Sequence, residues 1–253
     1  MLPFLRIGPF AIPMYGICLT TGIGLGSFLA CRRTKRAGGD VLSLIAIIAL
    51  TIGLAIVGAY LLYVFVSYGI KNVIQDIANG TWGFLREGGM VFYGGLIGGI
   101  AGAFLSAKIT KTNLADYCDA IVPCIPLGHA FGRLGCFFGG CCYGIPHDGF
   151  LGMCFPFTGV TEPVLAVQLI EAFLNLMVSL FLILYTRKKR PGLQTLYVYL
   201  LIYAVERFLL EYLRGDKIRG VFLLSTSQWI SLGILLVVLP LLLLPMFKKR
   251  TAA

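Results

Sequence analysis

Six ionisable side chains lie inside long apolar stretches of this sequence, where a charge is costly. They are Asp119, Arg133, Glu171, Glu206, Arg207 and Glu211. An ionised side chain at the centre of a bilayer costs at least ~2.5–3.5 kcal/mol on insertion scales, so such residues pair with one another or serve a function. We therefore treat these six as the first candidates for chemistry.

The densest polar stretch contains four side chains spaced by four, four and three residues: Tyr203, Arg207, Glu211 and Arg214. Residues at this spacing form one stripe along a helix and are close enough to pair. Glu206 lies about 100° around the helix from Arg207 and need not join the stripe. The stripe is either a self-neutralising ladder that holds a helix bundle together or part of a functional site.

Arg133 lies in a glycine-rich stretch, 126–144, that contains no carboxylate. An unpaired buried guanidinium is costly, so we expect Arg133 to bind a distant Glu or Asp or an anion. The planar fork of a guanidinium matches the oxygens of a phosphate group. The stretch therefore predicts a phosphate-binding site.

Cysteines are frequent in and around the same stretch, and their role stays open. Cys136, Cys141 and Cys142 do not follow a zinc-binding spacing, so we expect no metal site. A disulfide between external cysteines or a catalytic thiol are alternatives, but packing is the simplest interpretation. His129 and His147 are interpreted as a helix-end residue and a loop residue.

The composition decides which class of protein positions these residues. The chain has 253 residues, of which 58% are hydrophobic and 13% charged. Soluble proteins average about 45–50% apolar and about 25% charged residues. This excludes a soluble enzyme, a nucleic-acid-binding module and a disordered protein. The sequence predicts a polytopic membrane protein, and its net charge of +10 is assigned loop by loop.

Seven apolar runs are long enough to span a bilayer, which takes about 20 residues. They are 12–31, 41–66, 90–107, 117–138, 164–186, 193–213 and 227–247. We therefore predict an all-α integral membrane protein with a single transmembrane domain over 1–253. Gly and Pro interrupt the third and fourth runs, which predicts irregular helices there. Two external segments, 67–89 and 139–163, are long enough to fold over a site.

The orientation follows from the cationic residues outside these runs. Thirteen Lys and Arg fall on one side of the predicted spans and six on the other. Cytoplasmic loops carry the excess of Lys and Arg. We therefore expect the N-terminus outside and the C-terminus in the cytoplasm.

Motifs in order along nearly the whole chain resemble those of the bacterial prolipoprotein diacylglyceryl transferases. The Tyr-x3-Arg-x3-Glu pattern of Tyr203, Arg207 and Glu211 is one. The others lie at 12–16, 86–98, 119–144, 167–171 and 228–229. Each motif alone is weak, but the ordered set together with seven spans is specific.

The resemblance implies a transfer without a protein nucleophile, in a bacterial plasma (inner) membrane. Phosphatidylglycerol supplies a diacylglyceryl group. The lipobox cysteine thiol of a prolipoprotein signal peptide attacks the glycerol carbon, a thioether forms and glycerol phosphate leaves. No cofactor and no nucleic acid is implied.

The resemblance also implies roles for individual residues. The catalytic candidates are Arg133, Arg207, Tyr93, Tyr203 and Glu211, with the guanidiniums on the leaving phosphate. The candidates for substrate binding are Tyr15, Arg86, Asp119, Gln168, Glu171 and Gln228.

Four positions depart from the family pattern: Tyr93 stands for His, Cys136 and Gly139 stand for Asn, and Cys141 stands for an acidic residue. Two alternatives therefore remain. One is a membrane transferase that moves a lipid glyceryl or phosphoglycerol group to another acceptor. The other is a non-catalytic lipid-binding or transport relative.

Overall fold

The chain is mostly helical. The computed structural model describes residues 3–83, 89–215, 220–221 and 223–250. Within these residues we number nine α-helices: α1 Met14–Arg36, α2 Val41–Tyr63, α3 Ile70–Asn79, α4 Phe92–Thr110, α5 Leu114–Ile121, α6 Cys124–Gly139, α7 Val167–Tyr185, α8 Gln194–Leu210 and α9 Thr226–Arg250. A π-helical turn, Val64–Gly69, joins α2 to α3.

Six short strands form three antiparallel hairpins in the described chain. They are β1 Phe4–Ile7 with β2 Phe10–Pro13, β3 Gly152–Phe155 with β4 Val160–Leu165, and β5 Gly220–Val221 with β6 Leu224–Ser225. Each hairpin lies outside the long apolar helices, and the β3–β4 hairpin adds Phe155, Val164 and Leu165 to the buried core.

The helices confirm a multi-pass membrane protein. In the described chain, α1, the continuous segment Val41–Asn79, α4, α7 and α9 are each long and apolar enough to cross a bilayer. The pair α5 and α6, bent by 49°, would make a sixth span. The predicted run 193–213 contains α8, which at 17 residues is short for a perpendicular crossing. The count of seven stays a prediction.

Proline explains the bend in the fourth predicted run. Pro123 lies between α5 and α6, and Pro126 lies in the first turn of α6. Proline lacks an N–H and breaks the helical hydrogen-bond ladder. The predicted irregularity is confirmed here but wrong for the third run, which is the regular helix α4.

Two compact units make up the chain: Cys31–Tyr117, and Met1–Ala30 together with Cys118–Ala253. We call them the glycine-packed unit and the charged unit. The prediction of a single transmembrane domain over 1–253 stays a prediction.

The glycine-packed unit is built on close contact between α2 and α4. Gly94, Gly98 and Gly102 recur every four residues on one face of α4. A Cβ on Gly98 would overlap the carbonyl oxygen of Leu54, and one on Gly102 would overlap that of Leu50. Small residues at this spacing let two helix backbones touch in lipid. The high glycine content of the sequence is therefore used for packing, which keeps α4 regular.

In the charged unit, a hydrogen-bonded cap fixes the end of α6 and the end of α8. The Gly144 amide donates to the Leu165 carbonyl at 2.8 Å, and the Ile145 amide donates to the Leu213 carbonyl at 3.0 Å. A Cβ on Gly215 would overlap the carbonyl oxygen of Gly144. The segment 139–163, which the sequence analysis predicted to be external, thus packs on the residues that follow α8.

Candidate active site

Glu171 is the centre of the charge cluster that the sequence predicted in separate pieces. Its helix, α7, lies between Arg133 of α6 and Arg207 of α8. The Arg133 Nε atom forms an ion pair with Glu171 Oε2, and Arg207 Nη1 donates to Glu171 Oε1 at 3.4 Å. The Glu171 side chain is only 4% exposed. The carboxylate that Arg133 was expected to find is therefore Glu171, 38 residues along the chain.

The predicted stripe on α8 is confirmed in part. Arg207 Nη2 lies 2.8 Å from Glu211 Oε2, an ion pair at a spacing of four residues. Within the described chain, neither Glu171 Oε2 nor Glu211 Oε2 accepts a hydrogen bond of good geometry, although each lies beside a guanidinium. Charge, more than directional hydrogen bonding, therefore holds this cluster together.

A cavity of about 190 Å³ opens beside these ion pairs. It is lined by His129, Arg133, Glu171, Asn175, Tyr203, Glu206, Arg207 and Leu210. Seven of its eight lining residues are polar or charged, which suits a small polar group such as a phosphate better than an acyl chain.

Two polar residues of this cavity, His129 and Asn175, were not predicted as site residues, and Glu206 was a candidate without an assigned role. Arg133 Nε donates to His129 Nε2 at 3.2 Å, and the His129 ring lies 6.1 Å from the Tyr203 ring between centroids. Asn175 Nδ2 donates to Glu206 Oε1 at 3.4 Å. The interpretation of His129 as a helix-end residue is wrong, because it lies inside α6, four residues before Arg133. The four-residue spacing between His129 and Arg133 was the signal in the sequence that could have placed His129 beside Arg133.

Asp119 is not brought to the cavity. Its Oδ2 accepts from the Arg190 amide at 2.8 Å, and its Oδ1 accepts from the Thr195 hydroxyl at 2.5 Å. Thr195 lies twelve residues before Arg207 on α8, which is about 18 Å along the helix axis. Asp119 therefore anchors the start of α8, and its predicted contact with substrate is not supported by its partners.

Gln168 and Gln228 are buried and bind backbone groups. Gln168 Nε2 donates to the Cys141 carbonyl at 2.7 Å. Gln228 Oε1 accepts from the Ser225 amide at 3.0 Å, and its Nε2 donates to the Phe208 carbonyl at 3.4 Å. Both side chains fix the loops next to the charged helices, which is a positioning role.

Three predicted site residues remain: Tyr15, Tyr93 and Arg86. Tyr15 lies near the charge cluster, Tyr93 lies in the other unit, and Arg86 is not described. Tyr15 lies at the start of α1 against Gly135, where an added Cβ would come within 2.9 Å of its ring. It is therefore next to the helix that carries Arg133. Tyr93 belongs to α4 of the glycine-packed unit and is 45% exposed. Arg86 lies outside the described residues.

A second cluster in the charged unit consists of thiols. The Sγ atoms of Cys136, Cys141 and Cys142 all lie within 4.8 Å of one another. Cys136 is in the last turn of α6, and Gly140 ends that helix in the left-handed conformation. The turn folds the next two cysteines back towards the first. The sequence spacing gave no hint of this, because it does not encode the turn.

All eight cysteines lie within the described residues, and all are free thiols. In the loop, hydrogen bonds from Cys136 and Cys141 hold the pKa of the Cys142 thiol below its ordinary value, and the guanidiniums of Arg214 and Arg133 lower this pKa further. The described residues contain no disulfide, and the alternative of a disulfide between external cysteines stays a prediction.

Long apolar helices and two partly buried guanidiniums are typical of a multi-pass membrane protein. Residues 3–244 match the prolipoprotein diacylglyceryl transferase family. The chain therefore belongs to this family of transferases, and the resemblance inferred from the motifs is confirmed.

Individual bacterial relatives cover nearly the whole chain. It is 33% identical over 227 residues to phosphatidylglycerol–prolipoprotein diacylglyceryl transferase 2 of Clostridium perfringens, which covers 88% of this chain and 86% of that protein. It is 32% identical over 247 residues to the corresponding enzyme of Clostridium tetani, at 93% and 94% coverage. The enzyme of Bordetella parapertussis is 36% identical over 243 residues, at 92% and 90% coverage.

Proposed function

We propose that this protein transfers the diacylglyceryl group of phosphatidylglycerol to the lipobox cysteine of a prolipoprotein signal peptide, in the plasma membrane of a bacterium. The observation that carries the proposal is the pair of guanidiniums, Arg133 and Arg207, from different helices beside one small cavity. The names of the bacterial relatives support the two substrates.

The two guanidiniums bind the phosphate of the lipid. Their side chains are only 16% and 13% exposed, so a phosphate beside them interacts in a low-dielectric environment where charge is strongly felt. Glu171 holds both of them in place before the lipid arrives. The polar and charged lining of the cavity leaves the acyl chains outside, in the surrounding lipid.

The chemical step exchanges one bond for another. The acceptor thiol loses its proton, and its sulfur attacks the glycerol carbon that carries the phosphate ester. The carbon–oxygen bond breaks, its electron pair leaves with glycerol phosphate, and a thioether forms. Arg133 and Arg207 stabilise the negative charge that develops on the leaving phosphate.

The thiol must lose a proton, and His129 is a candidate acceptor beside the sequence-based candidates Tyr93, Tyr203 and Glu211. Its Nε2 accepts a hydrogen bond from Arg133, so the imidazole is neutral, and this lone pair takes the thiol proton once the Arg133 N–H turns to the lipid phosphate. A general base contributes about 10²–10⁴-fold. We expect His129→Gln to lose activity in this range, whereas His147→Gln, in the external loop, keeps it. Equal activity of both variants would remove His129 from the mechanism.

The direct test uses purified protein, phosphatidylglycerol in mixed micelles and a lipobox peptide. We expect a peptide thioether by mass spectrometry together with an equal amount of glycerol phosphate, and neither product when the peptide cysteine is replaced by Ser. Glycerol phosphate without thioether would favour a different acceptor. Binding of unchanged lipid without either product would favour a lipid-binding or transport relative.

We propose seven spans with the N-terminus outside, supported by the cationic excess in the loops. An impermeant thiol reagent on intact cells should label Phe150→Cys and leave Lys188→Cys unlabelled, since both positions are exposed. Both substitutions are made after Cys141, Cys142 and Cys154 are replaced by Ser. The opposite labelling pattern would invert the proposed orientation.

A further inference from the structure

We propose that Cys136, Cys141 and Cys142 form a binding site for one thiophilic divalent cation, Zn²⁺ or Cd²⁺, next to the transferase cavity. The three Sγ atoms lie within 4.8 Å of one another. The site goes beyond the proposed transfer reaction, which uses none of these thiols.

The sulfur positions fit a single ion. Zinc–thiolate bonds are about 2.3 Å long, which places the sulfurs of a tetrahedral site about 3.8 Å apart. The observed separations come within about 1 Å of this value. Small side-chain rotations therefore close the site, and a water completes the tetrahedron.

The accessibility of these thiols differs from that of packing cysteines. Cys141 is exposed, and Cys136 and Cys142 are partly exposed, so an ion can reach all three. By contrast, Cys18 and Cys118 are buried among apolar side chains. The cluster is therefore a surface feature with open access, and hydrophobic packing does not explain it.

The backbone of the loop that carries Cys141 and Cys142 adopts an unfavourable conformation. Cys142 has φ +62°, a left-handed conformation that few residues other than Gly, Asn and Asp adopt. The fully buried Gln168 amide donates to the Cys141 carbonyl and fixes the preceding residue. A thiol at position 142 is thus held towards the other two by the fold.

Neighbouring charges suit a trithiolate site. Zn²⁺ or Cd²⁺ with three thiolates carries one net negative charge. Gly144, two residues after Cys142, forms an antiparallel bridge with Arg214, so a cationic residue lies next to the thiol loop and can balance this charge. Soft thiolate ligands select zinc-like ions over Mg²⁺ or Ca²⁺.

The test titrates the reduced, detergent-purified full chain with Cd²⁺ and follows the ultraviolet thiolate-to-cadmium charge-transfer band, with native mass spectrometry for stoichiometry. We expect one ion per chain, displaced by Zn²⁺ and not by Mg²⁺. Cys142→Ser and the exposed Cys141→Ser should each weaken binding by about 100-fold or more, because even outer-sphere changes cost 10–100-fold.

Cys154→Ser is the matched control, since Cys154 is exposed and outside the cluster. It should bind Cd²⁺ like the parent protein. The site is refuted if the parent shows no band beyond that of the triple Ser variant at 136, 141 and 142. It is equally refuted if Cys154→Ser loses as much affinity as Cys142→Ser, or if thiol counting finds two cluster thiols still oxidised under reductant.

Discussion

A carboxylate from another helix lies near each end of helix α8, and the two are bound in different ways. At the start of the helix, Asp119 accepts short hydrogen bonds from the Arg190 amide and the Thr195 hydroxyl. At the end of the helix, Glu171 is held by two guanidiniums, next to a cavity of about 190 Å³.

The difference separates a structural carboxylate from one that belongs to a site. Hydrogen bonds from one backbone amide and one hydroxyl fix Asp119 to the start of α8, away from the cavity. Glu171 is held by charge, and its guanidinium partners can exchange a carboxylate oxygen for a phosphate oxygen with little movement. The same residue class, inside the same apolar sequence context, thus has two roles.

The largest expected effect is on activity at the guanidiniums. Arg133→Lys and Arg207→Lys keep the charge but lose the planar fork that binds two phosphate oxygens. We expect each to lower transfer by at least about 100-fold, as removal of a transition-state hydrogen-bond donor does. The measurement is the rate of thioether formation, with Arg187→Lys, in the exposed connection after α7, as control. Near-normal rates in both variants would show that the guanidinium fork is not needed to bind the phosphate.

The next largest effect is on stability at Glu171. Glu171→Gln leaves two partly buried guanidiniums without their shared, buried carboxylate, and breaking a buried pair costs up to about 3–5 kcal/mol. Thermal unfolding in detergent should show a loss, while Glu162→Gln, at an exposed position of strand β4, should not. A Glu171→Gln protein as stable as the parent would show that charge balance does not hold the cluster together.

A substitution at Tyr93, in the glycine-packed unit, tests whether residues outside the charged unit contribute to the transfer reaction. A phenol is a poorer general base than the His that the family has at this position, so we expect Tyr93 to orient the lipid head. Tyr93→Phe should then reduce the transfer rate by less than about 10²-fold, the lower bound for a proton-transfer group. Tyr212→Phe, on an exposed ring, is the control. A larger loss would make Tyr93 a proton relay, whereas full activity would leave it without a role.

The smallest effect on activity is expected at Asp119. Asp119→Asn places an amide N–H where an oxygen now accepts, so it should lower the free energy of unfolding by about 1–3 kcal/mol. The transfer rate of the folded protein should change less than about threefold, or about 0.7 kcal/mol. Asp116→Asn, exposed three residues earlier, controls for charge. If Asp119→Asn abolishes turnover without loss of stability, the structural assignment of Asp119 is wrong.

Much of the fold could be predicted from the sequence because lipid imposes a simple rule. Long apolar runs become helices, since every backbone polar group must be satisfied within its own segment. The positions of the predicted spans therefore match helices of the structure. The Arg207–Glu211 pair was also predictable, because a spacing of four residues fixes neighbours on a helix whatever surrounds it.

The tertiary structure alone decided which faces of the helices meet. Local spacing places Arg133 and Glu171 on α6 and α7 but does not say that they pair. It places Asp119 inside an apolar run but does not show that a loop 71 residues away satisfies it. The three clustered thiols depend on a left-handed turn at Gly140. Such contacts arise between segments that are distant in sequence, so packing determines them and periodicity does not.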